Sequence, residues 1–349
     1  MKTKLIRMDE QHIDTALIKE AGDVIRAGGL VAFPTETVYG LGGDALNPLS
    51  SAKIYRAKGR PSDNPLIVHI ADMEALSAIV CGIPESAVKL AERFWPGPLT
   101  MIFHKSDLVP RETTGGLDTV AVRMPVHCVA RELIRAAGGY VAAPSANRSG
   151  RPSPTVAKYV AQDMDGCIEM IIDGGDVEIG LESTIVDLTT DRPTILRPGY
   201  ITRQMLEQVL TVVEEDSTMM RDDSGQSPKA PGMKYRHYAP KGDLTVVDGE
   251  AESVIAYINA QIAMMQSNNK ITGVIATDSS ISRYHADVCR SVGERYHEDE
   301  IARELYRTLR EFDDENVEVI YAEAFDTGGL GQAIMNRLLK AAGYKLVHV

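Results

Sequence analysis

Two cations and two side-chain hydrogen-bonding groups fall within eight residues, Lys58-Gly59-Arg60-Pro61-Ser62-Asp63-Asn64-Pro65, directly before the apolar run Leu66-Ile67-Val68-His69-Ile70. Arg60 offers a planar fork suited to phosphate or carboxylate oxygens, Lys58 a mobile point charge, and Pro61 and Pro65 stiffen the turn. The chemistry this suggests is anion binding. A solvated loop with an ordinary Lys/Arg pair is the competing reading.

Other polar clusters sit where strands end. In Pro34-Thr35-Glu36-Thr37-Val38-Tyr39-Gly40, period-two alternation would turn Thr35, Thr37 and Tyr39 to one cavity. Thr119 and Arg123 bracket a strand and share a face. A buried Arg123 needs an anionic partner, which a ligand carboxylate would supply. Pro144-Ser145-Ala146-Asn147 through Pro152-Ser153, Glu182-Ser183-Thr184 and Leu196-Arg197-Pro198-Gly199 complete the set. Each alone is ordinary turn or capping chemistry. Together they describe a site built from hydroxyls and guanidinium groups.

Missing motifs narrow the reaction. There is no G-x-x-x-x-G-K-[ST] loop, no G-x-S-x-G elbow and no H-E-x-x-H, and Gly40-Leu41-Gly42-Gly43 lacks the last glycine of a dinucleotide fingerprint. Positioning and charge neutralisation without an acid–base dyad suit nucleotidyl transfer at an α-phosphate. Such sites commonly use Mg²⁺ held largely by the phosphates; no protein metal ligands are expected.

The elements that must position these residues fall in two blocks. Strand patterns at 30–33, 66–70, 99–103, 119–123, 140–143, 168–172 and 184–188, with helical patterns at 14–27 and 85–94, predict a mixed α/β domain over residues 1–212. The acidic, turn-rich stretch 213–243 reads as a linker. Strands at 244–247, 271–276 and 317–322 alternating with helices at 251–265, 299–312 and 331–342 predict a smaller Rossmann-like parallel-sheet domain over residues 244–349. The linker ends in Ala230-Pro231-Gly232-Met233-Lys234-Tyr235-Arg236-His237-Tyr238-Ala239-Pro240-Lys241, whose aromatics and cations suit a segment folding over a nucleotide or one pinned to the domain surface.

Composition sets the class. A chain of 349 residues, 44% hydrophobic and 25% charged, can bury two cores. Met1 to Thr15 has no signal-peptide core and no run approaches the roughly 18 apolar residues of a membrane span, so a cytoplasmic location without membrane attachment is expected. Cys81, Cys128, Cys167 and Cys289 lack metal-ligand spacing and read as reduced packing thiols. A net charge of −12 would repel a nucleic acid backbone unless basic residues were concentrated on one face, and it favours a small anionic ligand in a local basic pocket.

Lys58-Gly59-Arg60-Pro61 with Asn64-Pro65 and His69, the 34–40 segment, Trp95-Pro96-Gly97-Pro98-Leu99-Thr100, Pro144-Ser145-Ala146-Asn147, Glu182-Ser183-Thr184 and Leu196-Arg197-Pro198-Gly199 together resemble the YrdC-like domain of threonylcarbamoyl-AMP synthases. The motif at 231–240 resembles the linker of the longer, two-domain members, with Ala230 where serine is common. The resemblance implies a twisted mixed sheet and a synthesis of L-threonylcarbamoyladenylate and pyrophosphate from L-threonine, bicarbonate or CO₂, and ATP with Mg²⁺. The product would pass to the machinery that transfers threonylcarbamoyl to tRNA. By the same resemblance Thr37, His69, Arg123, the Ala143 backbone and Ser183 would hold threonine, Arg123 pairing its carboxylate. Arg60, Asn64, Thr119, Ser145, Ser153, Arg197 and linker Tyr235 would hold ATP, and Lys58 with Arg60 would neutralise developing charge. An RNA-binding module and a carbamoyl-transfer component like that of hydrogenase maturation are the rival readings.

Overall fold

The computed structural model describes residues 2–8, 10–216, 230 and 238–349. The chain forms two units, one of residues 1–149 and 153–235, the other of residues 150–152 and 236–349. In the first unit the strands are β1 (Lys4–Arg7), β2 (Val31–Phe33), β3 (Gly40–Asp44), β4 (Ile67–His69), β5 (Leu99–His104), β6 (Thr119–Arg123), β7 (Val141–Ala142), β8 (Met170–Asp173), β9 (Thr184–Asp187), β10 (Thr194–Arg197) and β11 (Glu214–Glu215). They form one mixed sheet in the order β1-β8-β2-β3-β7-β4-β6-β5-β9-β10-β11. Its principal helices are α1 (Thr15–Arg26), α2 (Pro48–Lys58), α3 (Leu76–Ile79), α4 (Glu85–Phe94), α5 (Cys128–Ala136), α6 (Ala157–Met164) and α7 (Arg203–Glu207).

Alternation along the central strands sorts core from site. Val68 of β4, Val120 and Val122 of β6, and Met101 and Phe103 of β5 enter one large core with Leu90 of α4 and Ile54 of α2. The intervening residues Ile67, Ala121 and Ile102 face the other way, into a small apolar cluster with Ile185, Leu196 and Ala230. On that face His69 continues from Ile67, Arg123 and Thr119 flank Ala121, and Thr100 precedes Ile102. A third cluster joins α1 and α5 to Val31, Phe33, Met170 and Ile172.

Sequence chemistry explains where α2 stops. Asn47 accepts from the Leu49 amide, Pro48 opens the first turn, and Gly59 ends the helix at φ 62°. Lys58 is therefore the last helical residue, where the negative end of the helix dipole favours a cation. The segment expected as a turn begins as a helix terminus.

In the second unit the strands β12 (Asp243–Asp248), β13 (Thr272–Ala276), β14 (Val288–Ser291), β15 (Val319–Glu323) and β16 (Leu346–His348) are all parallel, in the order β14-β13-β15-β12-β16. Helices α8 (Ala251–Ser267), α9 (Glu298–Asp314) and α10 (Gly331–Ala341) connect them. The α/β class with a mixed sheet followed by a smaller parallel one is thus observed. Glu214–Glu215, within the expected linker, form a short edge strand beside β10.

Candidate active site

Register brings the predicted residues to the two ends of one sheet face. His69 of β4 lies beside Arg123 of β6, which lies beside Thr100 of β5. Ser183 immediately precedes β9 and shares a 2.7 Å hydrogen bond with Thr100. Arg123 donates from Nη1 to Thr37 Oγ1 at 2.8 Å and from Nε to the Gly97 carbonyl at 3.3 Å. Its Nη2 stands 2.7 Å from Glu36 Oε1, both side chains almost wholly buried.

Glu36 thus places an anion of the protein itself beside Arg123, in addition to any that a ligand carboxylate would supply. Within the 34–40 motif Glu36 is the one acidic residue, and the need of a buried Arg123 for an anion is the signal in the sequence that points to it. Among the described residues two of the five guanidinium N–H groups are hydrogen-bonded, and Nη2, though ion-paired with Glu36, makes no hydrogen bond and is available to a ligand.

His69 is buried against the edge of the Phe33 ring, with centroids 6.4 Å apart. Desolvation, reinforced by the Arg123 charge, pushes its pKa down to about 3. The imidazole is therefore neutral, with Nδ1 3.2 Å from the Ile67 carbonyl. Gly42 makes room for the same ring, because a Cβ there would lie 2.9 Å from both Phe33 Cε1 and Val141 Cγ1.

The opposite end of the face carries the anion-binding candidates. Arg60 Nη2 donates to Asn64 Oδ1 at 2.6 Å and to the Pro65 carbonyl at 2.9 Å, fixing the loop that enters β4. Asn64 is buried, and its Nδ2 finds no acceptor among the described residues. A buried amide donor without an acceptor costs about 1–3 kcal/mol, so this atom invites a ligand oxygen. Extending the β4 pairings with β6 and β7 puts Thr119 and Ser145 on either side of Pro65.

Lys58 is not mobile. It is buried and its Nζ donates to the Ser145 carbonyl and, at 2.6 Å, to that of Asn147. The charge is held in the Ser145–Asn147 loop, where Ser145 Oγ also donates to Asn147 Oδ1 at 2.5 Å. Asn147 is a second residue that the sequence reading quoted without a role.

Other expectations divide. Ser153 donates to Glu182 Oε1 at 2.6 Å, and Arg197 donates to the Ser183 carbonyl at 3.0 Å and to Ser183 Oγ at 3.1 Å. Arg197 thus gathers with Ser183 at the His69–Arg123 end rather than with Arg60. The Ala143 N–H donates to the Ile67 carbonyl at 2.9 Å, so only its carbonyl remains for a ligand. Thr35 and Thr37 meet through their hydroxyls at 2.9 Å, but 34–39 is a turn rather than a strand. Alternation therefore fails at Tyr39, whose hydroxyl donates to the Gly175 carbonyl at 2.7 Å instead. Tyr235 lies outside the described residues, as does most of its motif. Ala230 is described, and it lies fully buried on the apolar floor between the two polar ends.

The four cysteines are free, but Cys81, Cys128 and Cys167 are exposed, correcting the expectation of packing thiols for these three. Among the described residues no group of three or more His, Cys, Asp and Glu could hold a metal ion. No helix described is long and apolar enough to cross a membrane.

Residues 23–199 match the Sua5–YciO–YrdC family described as "Telomere recombination", and residues 201–343 match "Threonylcarbamoyl-AMP synthase, C-terminal domain". The chain is 49% identical to the threonylcarbamoyl-AMP synthase of Pyrococcus abyssi, over 97% of this chain and 98% of that one. It is 46% identical to that of Bacillus subtilis, over 97% and 96%. The crystal structure of P. abyssi Sua5 complexed with L-threonine superposes with a TM-score of 0.94 at 48% identity, covering 99% of this chain and 100% of that one. A full-length likeness of this depth, across both units and both matched regions, means that the chain belongs to the threonylcarbamoyl-AMP synthase family.

Proposed function

We propose that this protein makes L-threonylcarbamoyladenylate and pyrophosphate from L-threonine, bicarbonate or CO₂, and ATP, and that the product serves threonylcarbamoyl transfer to tRNA. The observation that carries the reading is the shared face of β4, β5 and β6. It has a polar cluster of His69, Arg123, Thr100 and Ser183 at one end, an amide and guanidinium cluster at the other, and an apolar floor between. From Thr119 to Arg123 is four residues of strand, roughly 13 Å, enough to set two substrates end to end.

Threonine sits at the His69 end. Arg123 receives its carboxylate through the Nη2 edge that makes no hydrogen bond among the described residues, and Thr37, Ser183 and the Ala143 carbonyl meet its polar atoms. A neutral His69 does not compete with Arg123 for the carboxylate and can accept a hydrogen bond through Nε2. ATP occupies the other end, with Asn64 Nδ2, Arg60, Thr119 and Ser145 as partners. Arg197, held on Ser183 at the His69 end, and Ser153, held by Glu182, would add ATP contacts as the N-carboxylated threonine attacks the α-phosphate and pyrophosphate leaves. Lys58, fixed by its carbonyl partners, adds positive potential where charge accumulates.

Mg²⁺ would be carried by the ATP phosphates, since the described side chains form no dedicated cage. It would shield phosphate charge, and no step here depends on its placement. An N-carboxy amino acid loses CO₂ readily in water, so the segment anchored by Ala230 and containing Tyr235 would serve as a cover.

The test is pyrophosphate release with ATP, Mg²⁺ and bicarbonate as the amino acid is varied. Release that depends on threonine and is much weaker with serine supports the reading. Release indifferent to the amino acid contradicts it.

A further inference from the structure

The parallel sheet of the second unit contains a topological switch point. The chain leaves β12 through α8 toward β13 on one side, but leaves β15 through α10 toward β16 on the other. Right-handed crossovers then place the two helices on opposite faces. In agreement, Val254, Ile255 and Ile258 of α8 pack on Val247, Val274 and Tyr321, while α10 packs beside α9. Adjacent β15 and β12 therefore diverge at their carboxyl ends, and sheets of this kind bind ligands in that crevice.

A cavity of about 420 Å³ lies there, bounded by Asp248 and Gly249 at the end of β12, Glu323 and Ala324 at the end of β15, and Ser279, Ser280 and Arg283 after β13. Its volume is near the lower end of the ~300–1,000 Å³ usual for small-molecule sites, which suits a mononucleotide better than a dinucleotide. Its chemistry is graded. Val247, Val254 and Ile255 give an apolar wall. Glu323 is buried and already neutralised, accepting from Tyr284 at 2.7 Å and pairing with Arg295, so it acts as floor rather than ligand contact.

Arg283 differs. It donates to both oxygens of Glu252, at 2.8 and 2.6 Å, near the surface. That bidentate contact uses two of its five N–H groups and leaves others for a further anion. Ser279 is also exposed, and Ser280 lies within 3.2 Å of the buried Thr277 hydroxyl, which orients it. The α8 N-terminus borders the same space, and its Glu250 side chain makes no capping bond. Hydroxyls, a guanidinium with N–H groups to spare and uncapped amides suit a phosphate, while Asp248 offers an acceptor for sugar hydroxyls.

We propose that this crevice is a second ligand site, separate from the catalytic face, that takes a nucleoside monophosphate with its phosphate toward Ser279, Ser280 and Arg283. The test is equilibrium binding of AMP, GMP, CMP and UMP to the full chain, with inorganic phosphate alone as a further arm. Comparison is made with Ser279→Glu/Arg283→Ala and, separately, Asn64→Leu. The expected result is a nucleotide-binding event weakened tenfold or more by the first variant and unaffected by the second. Pyrophosphate release without added monophosphate should be unchanged in the first variant. Hydrogen exchange in the unsubstituted protein should slow at 277–283 when the nucleotide is added. No binding by any of the four, binding lost only in Asn64→Leu, or phosphate binding as tightly as the nucleotides would each overturn the proposal.

Discussion

Arg123 offers the sharpest test because its two roles, structural and ligand-binding, have different signatures. Its guanidinium lies 2.7 Å from Glu36 with the side chains 5% and 3% exposed. Removing one partner of such a pair leaves an uncompensated buried charge, a loss of about 3–5 kcal/mol. Arg123→Met should therefore lower the urea midpoint sharply. Adding Glu36→Gln removes the stranded charge and should restore most of that loss, since neutral replacements of buried pairs are often tolerated. Threonine binding should not return with stability. The carboxylate would still lack charge-assisted hydrogen bonds of about 1.5–3 kcal/mol, a KM for threonine raised by roughly 10- to 150-fold. The assay pairs urea denaturation with threonine-dependent pyrophosphate release for both variants. A double variant that regains both stability and threonine KM would show that Arg123 only holds the fold.

Further outcomes follow from the same contacts. Arg60→Ala, which removes a charged partner from the Asn64 loop, should lower activity by roughly one to two powers of ten in a protein that still folds; full activity would refute its assignment. His69 has a pKa near 3 in the folded protein against 6.5 for the free side chain, so between these values the unfolded chain binds a proton that the folded one excludes. Its contribution is complete above pH 6.5 and lost as pH falls toward 3, by at most about 1.4 kcal/mol per pH unit. Denaturation midpoints between pH 6.5 and 4.5 should fall more steeply for the unsubstituted protein than for His69→Gln. Equal slopes would contradict the buried neutral imidazole. Ala230→Leu overpacks a fully buried position at a cost of about 1–3 kcal/mol. It should raise the KM for ATP, and an unchanged KM would mean that this segment does not cover the site.

The sequence was most readable where one period held throughout. Thr119–Arg123 appears as expected, with its alternate residues divided between core and site, and Glu85–Phe94 forms the expected helix. Reading failed where local geometry broke the period. The turn at 34–39 sends Tyr39 to Gly175. Gly40-Leu41-Gly42-Gly43, weighed only as an incomplete fingerprint, is part of a strand whose glycine at 42 admits the Phe33 ring against His69. β1 escaped notice because it is an edge strand with one buried residue among four. Partners distant in sequence were hardest to foresee: Glu36 for Arg123, and the carbonyls of Ser145 and Asn147 for Lys58, all lie 87 to 89 residues away. Residue types announced a polar site, but only strand register could divide it into two ends.

The central claim, that threonine, bicarbonate and ATP meet on one sheet face, is tested most directly by mass spectrometry of the product formed with ¹³C-bicarbonate. The account predicts an adenylate containing threonine, with one added mass unit from the labelled carbon, formed in equal amount to pyrophosphate. An adenylate without the label, or pyrophosphate released without a threonine-containing adenylate, would contradict it.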